Sequence, residues 1–336
     1  MNRRTLIILF LTIVVLSAII MANRQAPDSE TAVALPGLDN VLNDVTKLTI
    51  RTAGNRTVTS LMRGAERWTI AERGNYPADV GKIRQNLIAL ANATIVEQKT
   101  ADPARYSRLG VEDIANEDAT GIELVIDSPD GSFRLIIGKT GIRGDQAYAR
   151  IPGSAGSLLI AARLDLGQEP VDWLDLALLD IPSSDLSRVT TIHPDGETVR
   201  IRNTEADGFE PVDLPADGKI TDTGVADSIG SALADLKLVD VSTRDNAGLD
   251  GIEPIISRFE TRDGLAVITR VYTEGDERFV GFEFTASADE DALATEGTTN
   301  RAAELQARFG KWLFVLADDK MDLLTRRRSD LFDLSG

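Results

Sequence analysis

Apolar and polar positions follow one pattern at the start of the chain and another throughout its body. From Thr5 to Ala22 (TLIILFLTIVVLSAIIMA) no charge interrupts the run. A helix rising ~1.5 Å per residue would cross a bilayer core over that length. Arg3 and Arg4 precede the run, while Asp28 and Glu30 follow soon after it. This order predicts residues 1–4 in the cytoplasm, a transmembrane anchor at 5–22, and the remainder on the outer side of the inner membrane. A cleaved signal peptide is the alternative reading. Its fit is poorer, because cutting after Ala22 places bulky Ile20, and cutting after Ala26 places Arg24, where a small residue is wanted.

Residues 23–44 mix Pro, Gly and small polar residues without a period and read as a tether. From Val45 the pattern turns to short alternating segments. Lys47–Thr52, Arg56–Met62 and Arg67–Ala71 are expected as strands, divided by Ala53-Gly54-Asn55 and Arg63-Gly64. Asp79 then stands where a helix N-cap is wanted, and Val80, Ile83, Leu87 and Leu90 recur on one helical face behind it. Ala93–Gln98 reads as a strand. Tyr106–Gly110 reads as one helical turn closed by glycine. Ile122–Asp127 and Ser132–Gly138 are expected as a hairpin across Ser128–Gly131, with a further strand at Gln146–Ile151.

The pattern then recurs at a shift of about 141 residues. Val45–Leu48 falls on Leu186–Val189, Trp68 on Phe209, Leu90–Val96 on Leu233–Val239, and Asp130-Gly131 on Asp263-Gly264. The expected architecture is α+β, an N-terminal transmembrane helix followed by two tandem repeats. Each repeat is an antiparallel sheet packed under an amphipathic helix. The expected divisions are a first repeat at 45–169, a helical connector at 170–188, and a second repeat at 189–336 carrying an acidic insertion at 285–304.

Composition narrows the chemistry. The 336 residues include 53 acidic and 36 basic side chains, for a formal charge of −17. Such a surface repels nucleic acid and offers no broad attraction to anionic lipid. Cysteine is absent, which removes thiol nucleophiles, zinc–thiolate sites and structural disulfides. Stability therefore rests on buried apolar area, for which a hydrophobic content of 43% is ample.

Trp68-Thr-Ile, Tyr76-Pro-Ala-Asp79, the amphipathic helix behind them, and Arg105-Tyr-Ser-Arg-Leu-Gly110 form a pattern that resembles the bacterial domain of unknown function 4340 family. The resemblance spans nearly all of the exported part. It implies genomic company with a gliding-motility-type ABC transporter, and hence the permease and ATPase subunits as partners. It carries no catalytic or ligand residues. The second unit departs from the pattern at Phe209, and Gly218–Gly224 delays its helix.

The remaining motifs read as scaffold. Gly131–Thr140 approaches a phosphate loop, but six strand-forming residues lie between its glycines where four are needed. Arg143-Gly-Asp145 reads as a polar turn. His193, the one histidine, precedes Pro-Asp-Gly and is expected at the surface beside a hairpin. Asp318, Asp319 and Asp322, like Asp289, Glu290 and Asp291, lack the spaced loop of a calcium site and read as solvated acid. Asp79 and Asp217 read as caps at equivalent places, and Arg326–Arg328 as the wet side of a terminal helix.

The sequence thus predicts no catalytic, cofactor-binding or metal-binding residue and no cofactor. It predicts a membrane-anchored periplasmic accessory or scaffold of an ABC-type transport system that binds rather than catalyses. A periplasmic enzyme using carboxylates on an envelope polymer, and a free-standing structural envelope protein, are the alternatives.

Overall fold

The computed structural model describes residues 32–204, 208–212, 219–220, 223–243, 248–249, 251–286 and 294–333. Nine strands form a first antiparallel sheet. From one edge they run β4 (Tyr76–Pro77), β3 (Trp68–Ile70), β2 (Arg56–Arg63), β1 (Lys47–Thr52), β6 (Ile122–Ser128), β7 (Gly131–Thr140), β8 (Gln146–Arg150), β9 (Ser157–Ala161) and β5 (Thr94–Gln98). Nine more form the second: β10 (Ala177–Leu179), β15 (Leu236–Thr243), β19 (Trp312–Leu316), β18 (Glu277–Ala286), β17 (Leu265–Glu274), β16 (Ile255–Thr261), β11 (Leu186–Ile192), β12 (Thr198–Asn203) and β13 (Phe209–Pro211). A separate pair joins β14 (Lys219–Ile220) to β20 (Phe332–Asp333).

The expected α+β class is therefore corrected. The chain is built on two large antiparallel sheets with few helices. The described helices are α1 (Leu38–Val41), α2 (Val80–Ala91), α3 (Tyr106–Leu109), α4 (Thr223–Gly230), α5 (Glu296–Phe309), α6 (Asp318–Leu324) and α7 (Arg328–Leu331), and the two expected to roof the sheets are short, 12 residues in α2 and eight in α4. Segments without sequence signals of their own, such as Tyr76–Pro77 and Ala177–Leu179, are drawn into the ladders because a neighbouring strand offers unpaired amides and carbonyls. Among the described residues no helix is long and apolar enough to cross a membrane. The run expected as an anchor, 5–22, lies outside the described residues, as do 23–31 of the tether and 287–293 of the acidic insertion. Residues 170–188, expected as a helical connector, hold a single 3-10 turn at Pro170–Trp173, strand β10, and another 3-10 turn at Ser183–Asp185.

The two sheets share one strand order. Starting from β5, the first reads 5-9-8-7-6-1-2-3-4; starting from β15, the second reads 15-19-18-17-16-11-12-13. They differ at their ends, since β4 lies beyond β3 in the first sheet and no strand of the second sheet lies beyond β13 among the described residues. Strand β10 covers the outer side of β15, pairing Ala177 with Lys237 and Leu179 with Leu236. Outside β5 the stretch 32–34 takes the corresponding place, with a bridge between Val33 and Thr94, the Ala34 amide donating to the Ala93 carbonyl and the Ile95 amide to that of Ala32, each at 2.8 Å.

Packing divides the described residues into two compact units, one drawn from positions up to Thr57 and from Arg84–Leu166, the other from Val58–Ile83 and from Gly167 onward. In the first, β1 buries Leu48 and Ile50, and β6 is covered over its first five positions. That burial includes Glu123, whose carboxylate receives Arg134 Nε at 2.8 Å and Nη2 at 2.5 Å. A smaller cluster of Tyr106, Val111, Ile114 and Ile136 lies beside Leu109 and Tyr148. In the second unit the core is aromatic. Tyr76 meets Trp312 edge-on at 5.2 Å between ring centroids and Phe314 at 6.0 Å. Phe282, Phe284 and Phe309 continue the chain of rings, with spacings of 5.7 to 6.2 Å. Asp79 caps α2 by accepting from the Lys82 amide at 2.9 Å, and its own amide donates to the Trp173 carbonyl at 2.8 Å.

Candidate binding cleft

An open cleft of about 780 Å³ lies in the first unit, between the end of β5, the loop that follows it, the turn α3 (Tyr106–Leu109) and Tyr148 on β8. Local chemistry sets each wall. Asp102 accepts from the Ala104 amide at 3.1 Å and starts the turn, with Pro103 where a missing amide costs nothing. Gly110 ends α3 in the left-handed region at φ 72°. Tyr106 anchors the turn from within: its hydroxyl donates to the Ala155 carbonyl at 2.5 Å, and the Arg150 guanidinium lies over its ring at 4.8 Å. The buried Arg150 then donates through Nε to the Val111 carbonyl at 2.7 Å.

Beneath α3 the hairpin β6–β7 comes unusually close. A Cβ on Gly138 would sit 2.2 Å from the Leu109 carbonyl oxygen, and one on Gly121 would sit 2.2 Å from that of Gly110. Lys139 reaches from the same strand and donates to the carbonyls of Ser107 and Arg108 at 3.3 and 3.2 Å. Those are carbonyls at the end of a helical turn, where a cation is favoured. The glycine-lysine pair that resembled a phosphate loop thus seats a helical turn, and its strand is paired on both sides by β6 and β8.

The lining carries three cations, Lys99, Arg105 and Arg108, against two carboxylates, Glu97 and Asp102. Lys99 Nζ pairs with Glu97 at 2.5 Å and Arg105 Nε with Asp102 at 3.4 Å. The Arg108 guanidinium and the Tyr148 hydroxyl have no partner among the described residues. The groove is thus locally positive on a strongly negative chain and keeps donors to offer. It offers hydrogen-bonding and ion-pairing groups to an occupant.

A second groove, of about 380 Å³, contrasts with it. Asn203 Nδ2 donates to the Ser183 carbonyl at 3.1 Å, Arg262 Nε to that of Ser184 at 3.1 Å, and the Phe209 amide to Asp227 at 2.7 Å. Its polar groups hold the fold together.

The other residues marked in the sequence stand apart from the cleft. His193 is not at the surface: it is only 2% exposed. Its amide donates to the Glu197 carbonyl at 2.9 Å, and its Nε2 lies 3.1 Å from the Arg326 carbonyl, to which it donates. A segment distant in sequence folds back over the turn and covers the ring. Arg327 clamps that return by pairing with Asp195 at 2.7 Å and Glu197 at 3.0 Å. Arg326 and Arg327 precede the short helix α7 (Arg328–Leu331) and are half-buried rather than forming a wet helical face.

Asp318 and Asp322 are held by Arg278 at 2.7 and 2.6 Å, and among the described residues no three metal-ligating side chains converge. Asp289, Glu290, Asp291 and Asp217 lie outside the described residues. Arg143–Asp145 is a turn closed by the Gln146 amide donating to the Arg143 carbonyl at 3.0 Å.

The Arg327 clamp gives a pH dependence of definite sign. Asp195 is held below its ordinary value of 3.8, first by the Glu197 backbone amide and then by Arg327. A carboxylate lowered on folding contributes stability above its unfolded value and loses it as pH falls through the folded one. Amide exchange around Arg326–Arg328, taken relative to the intrinsic rate at each pH, is expected to quicken on acidification below about pH 4. In Arg327→Met it should be fast already at neutral pH and respond much less to acid.

The sequence marked Arg105–Gly110 only as scaffold and passed over Arg108 and Tyr148 as binding groups. The available signal was local: two arginines flank a tyrosine in a chain with a large acidic excess. The family model described as Domain of unknown function (DUF4340) matches residues 68–251, more than half of the chain, and the chain belongs to that family. Neither a curated protein nor a solved structure matches it.

Proposed function

We propose that this member of the DUF4340 family is a binding component, not a catalyst, that works on the outer side of the inner membrane beside a gliding-motility-type ABC transporter. The observation that carries the reading is the cleft beside α3, an open, polar, locally positive groove whose Arg108 and Tyr148 have unused donors among the described residues. Such a groove suits recognition of a partner surface or an extended ligand better than enclosure of a reacting bond. The uncharged run 5–22 with its arginines in front supports the location, and the acidic excess speaks against nucleic acid as partner.

The test is affinity purification of the tagged full-length chain from a detergent extract of its native membranes. The permease or the ATPase is expected to come with it. Repeated recovery of the chain with neither would sink the proposal.

A further inference from the structure

We infer that two copies of this chain pair face to face through the side of the second sheet that lies away from its helices. That face falls wholly within the second unit and involves neither the cleft nor the transporter.

Helix contacts fix which residues look which way. Phe309 of α5 packs on Phe284 at 6.2 Å between ring centroids, and the Ser257 hydroxyl donates to the Leu324 carbonyl of α6 at 2.9 Å. Phe284 on β18 and Ser257 on β16 therefore face the helices, and alternate residues face away. On the far side the register sets Arg202, Arg188 and Glu260 in one row and Arg200, Thr190, Arg258 and Ile268 in the next. Ile192, Ile256 and Arg270 make a third row. Beyond it Tyr272 stands opposite Phe279, and Glu274 opposite Glu277 at the hairpin tip. Ile192 is 46% exposed, Arg200, Arg202, Glu274 and Glu277 are exposed, and Ile256, Ile268, Tyr272 and Phe279 are half-buried.

Charge on this face is split along a diagonal. The corner on β11, β12 and β16 gathers Arg188, Arg200, Arg202 and Arg258 around Glu260. The opposite corner, at the turn from β17 to β18, holds Glu274, Asp276 and Glu277, while Arg278 beside them is drawn to the helix side by Asp318 and Asp322. The isoleucines and the two aromatic rings lie between. A two-fold axis in the plane of contact, at right angles to that diagonal, brings each basic corner onto the acidic corner of the second copy and stacks the apolar middles. An unrelated acidic ligand would answer one corner only, whereas a second copy answers both. At ~4.8 Å between strands and ~6.8 Å between rows, the face from β13 to β18 covers roughly 700 Å², near the ~800 Å² per partner of a standard interface. With a Debye length of ~8 Å at physiological salt, the facing corners outweigh the distant carboxylates behind the net charge of −17.

Sedimentation equilibrium of the full-length protein in density-matched detergent should show a dimer at micromolar concentration. Arg200→Glu with Arg202→Glu sets acid against acid at both contacts, and Glu274→Arg with Glu277→Arg sets base against base. Each variant alone should self-associate about tenfold or more weakly than the wild type. An equimolar mixture of the two should regain the wild-type dimer, because every reversed corner then meets its opposite. That recovery separates lost pairing from misfolding. The chain has no cysteine, so Arg202→Cys and Glu277→Cys can report the orientation. Mixed, the two single variants should form an intermolecular disulfide far faster than either does alone.

A wild-type chain that stays monomeric overturns the inference. A dimer that neither reversal weakens is formed by another surface, and one that mixing does not restore lacks the two-fold arrangement; either result overturns it as well. So does a monomer that takes up a polyglutamate peptide, with uptake abolished by the Arg200 and Arg202 reversal, since the occupant is then an acidic partner. Co-purification with the transporter is scored separately, so the pairing can fall while the proposed function stands.

Discussion

Trp312→Ala is expected to cost about 3–5 kcal/mol, enough to leave the second unit unfolded at ordinary temperatures. The side chain is 2% exposed and closes one end of a line of aromatic rings. Tyr76 stands edge-on to it at 5.2 Å, and Gly74, at φ 62°, comes close enough that a Cβ there would lie 3.2 Å from the indole. Removing the indole opens a cavity between β3–β4 and β19, and backbone held by ladders on both sides has little freedom to collapse into it. Differential scanning calorimetry should show the cooperative transition of the second unit lowered or lost. Trp312→Phe, which keeps a ring for Tyr76, should lose much less. Equal melting of the alanine variant and the wild type would refute the packing account.

Tyr76 itself adds a signature at high pH. Burial raises its phenol well above the ordinary value of 10.0, with the Asp175 charge adding to the effect. Ionisation is therefore disfavoured in the folded state, and stability falls once pH exceeds the unfolded value.

Gly138→Ala is expected to destabilise the first unit by about 1–3 kcal/mol and to disturb the cleft as it does so. The new methyl would lie 2.2 Å from the Leu109 carbonyl oxygen and 2.7 Å from that of Gly110. Both are backbone atoms, so the relief must come from moving α3. That motion displaces Arg108 and loosens Lys139 from the two carbonyls it caps. Gly131→Ala is the control from the same strand. Its Cβ would meet nothing within 4 Å, and its φ of 148° makes the backbone itself the source of any loss. Thermal melting should separate the two, with the larger loss in Gly138→Ala.

Much of the local structure was legible because its causes are local. Lys47–Thr52 is a strand over the bounds expected from alternation, and the hairpin turns across Ser128–Gly131. Asp79 caps its helix, and Gly110 ends the Tyr106 turn with the positive φ that glycine tolerates. The fold class was not legible, since it depends on how many segments join each ladder. Asp172–Leu179 has apolar spacing that suits a helix or a strand equally, and pairing with β15 decides for the strand.

His193 looked like a surface residue because its neighbours form an ordinary turn, while the cover comes from Arg326, 133 positions away. The cleft was hidden for the same reason. Its turn and Tyr148 lie on separate segments, and the close approach that seats the turn falls on Gly138, which the sequence presented as part of a failed phosphate loop.

The interleaving of the two units bears on how this protein is made. Residues 58–83 leave the ribosome well before Trp312 and Phe314, whose rings Tyr76 meets, since the second unit resumes only at Gly167. A nascent chain must therefore carry Tyr76 without those rings through the synthesis of the entire first unit. Cutting the gene near codon 166 should yield an aggregation-prone fragment rather than a freestanding module.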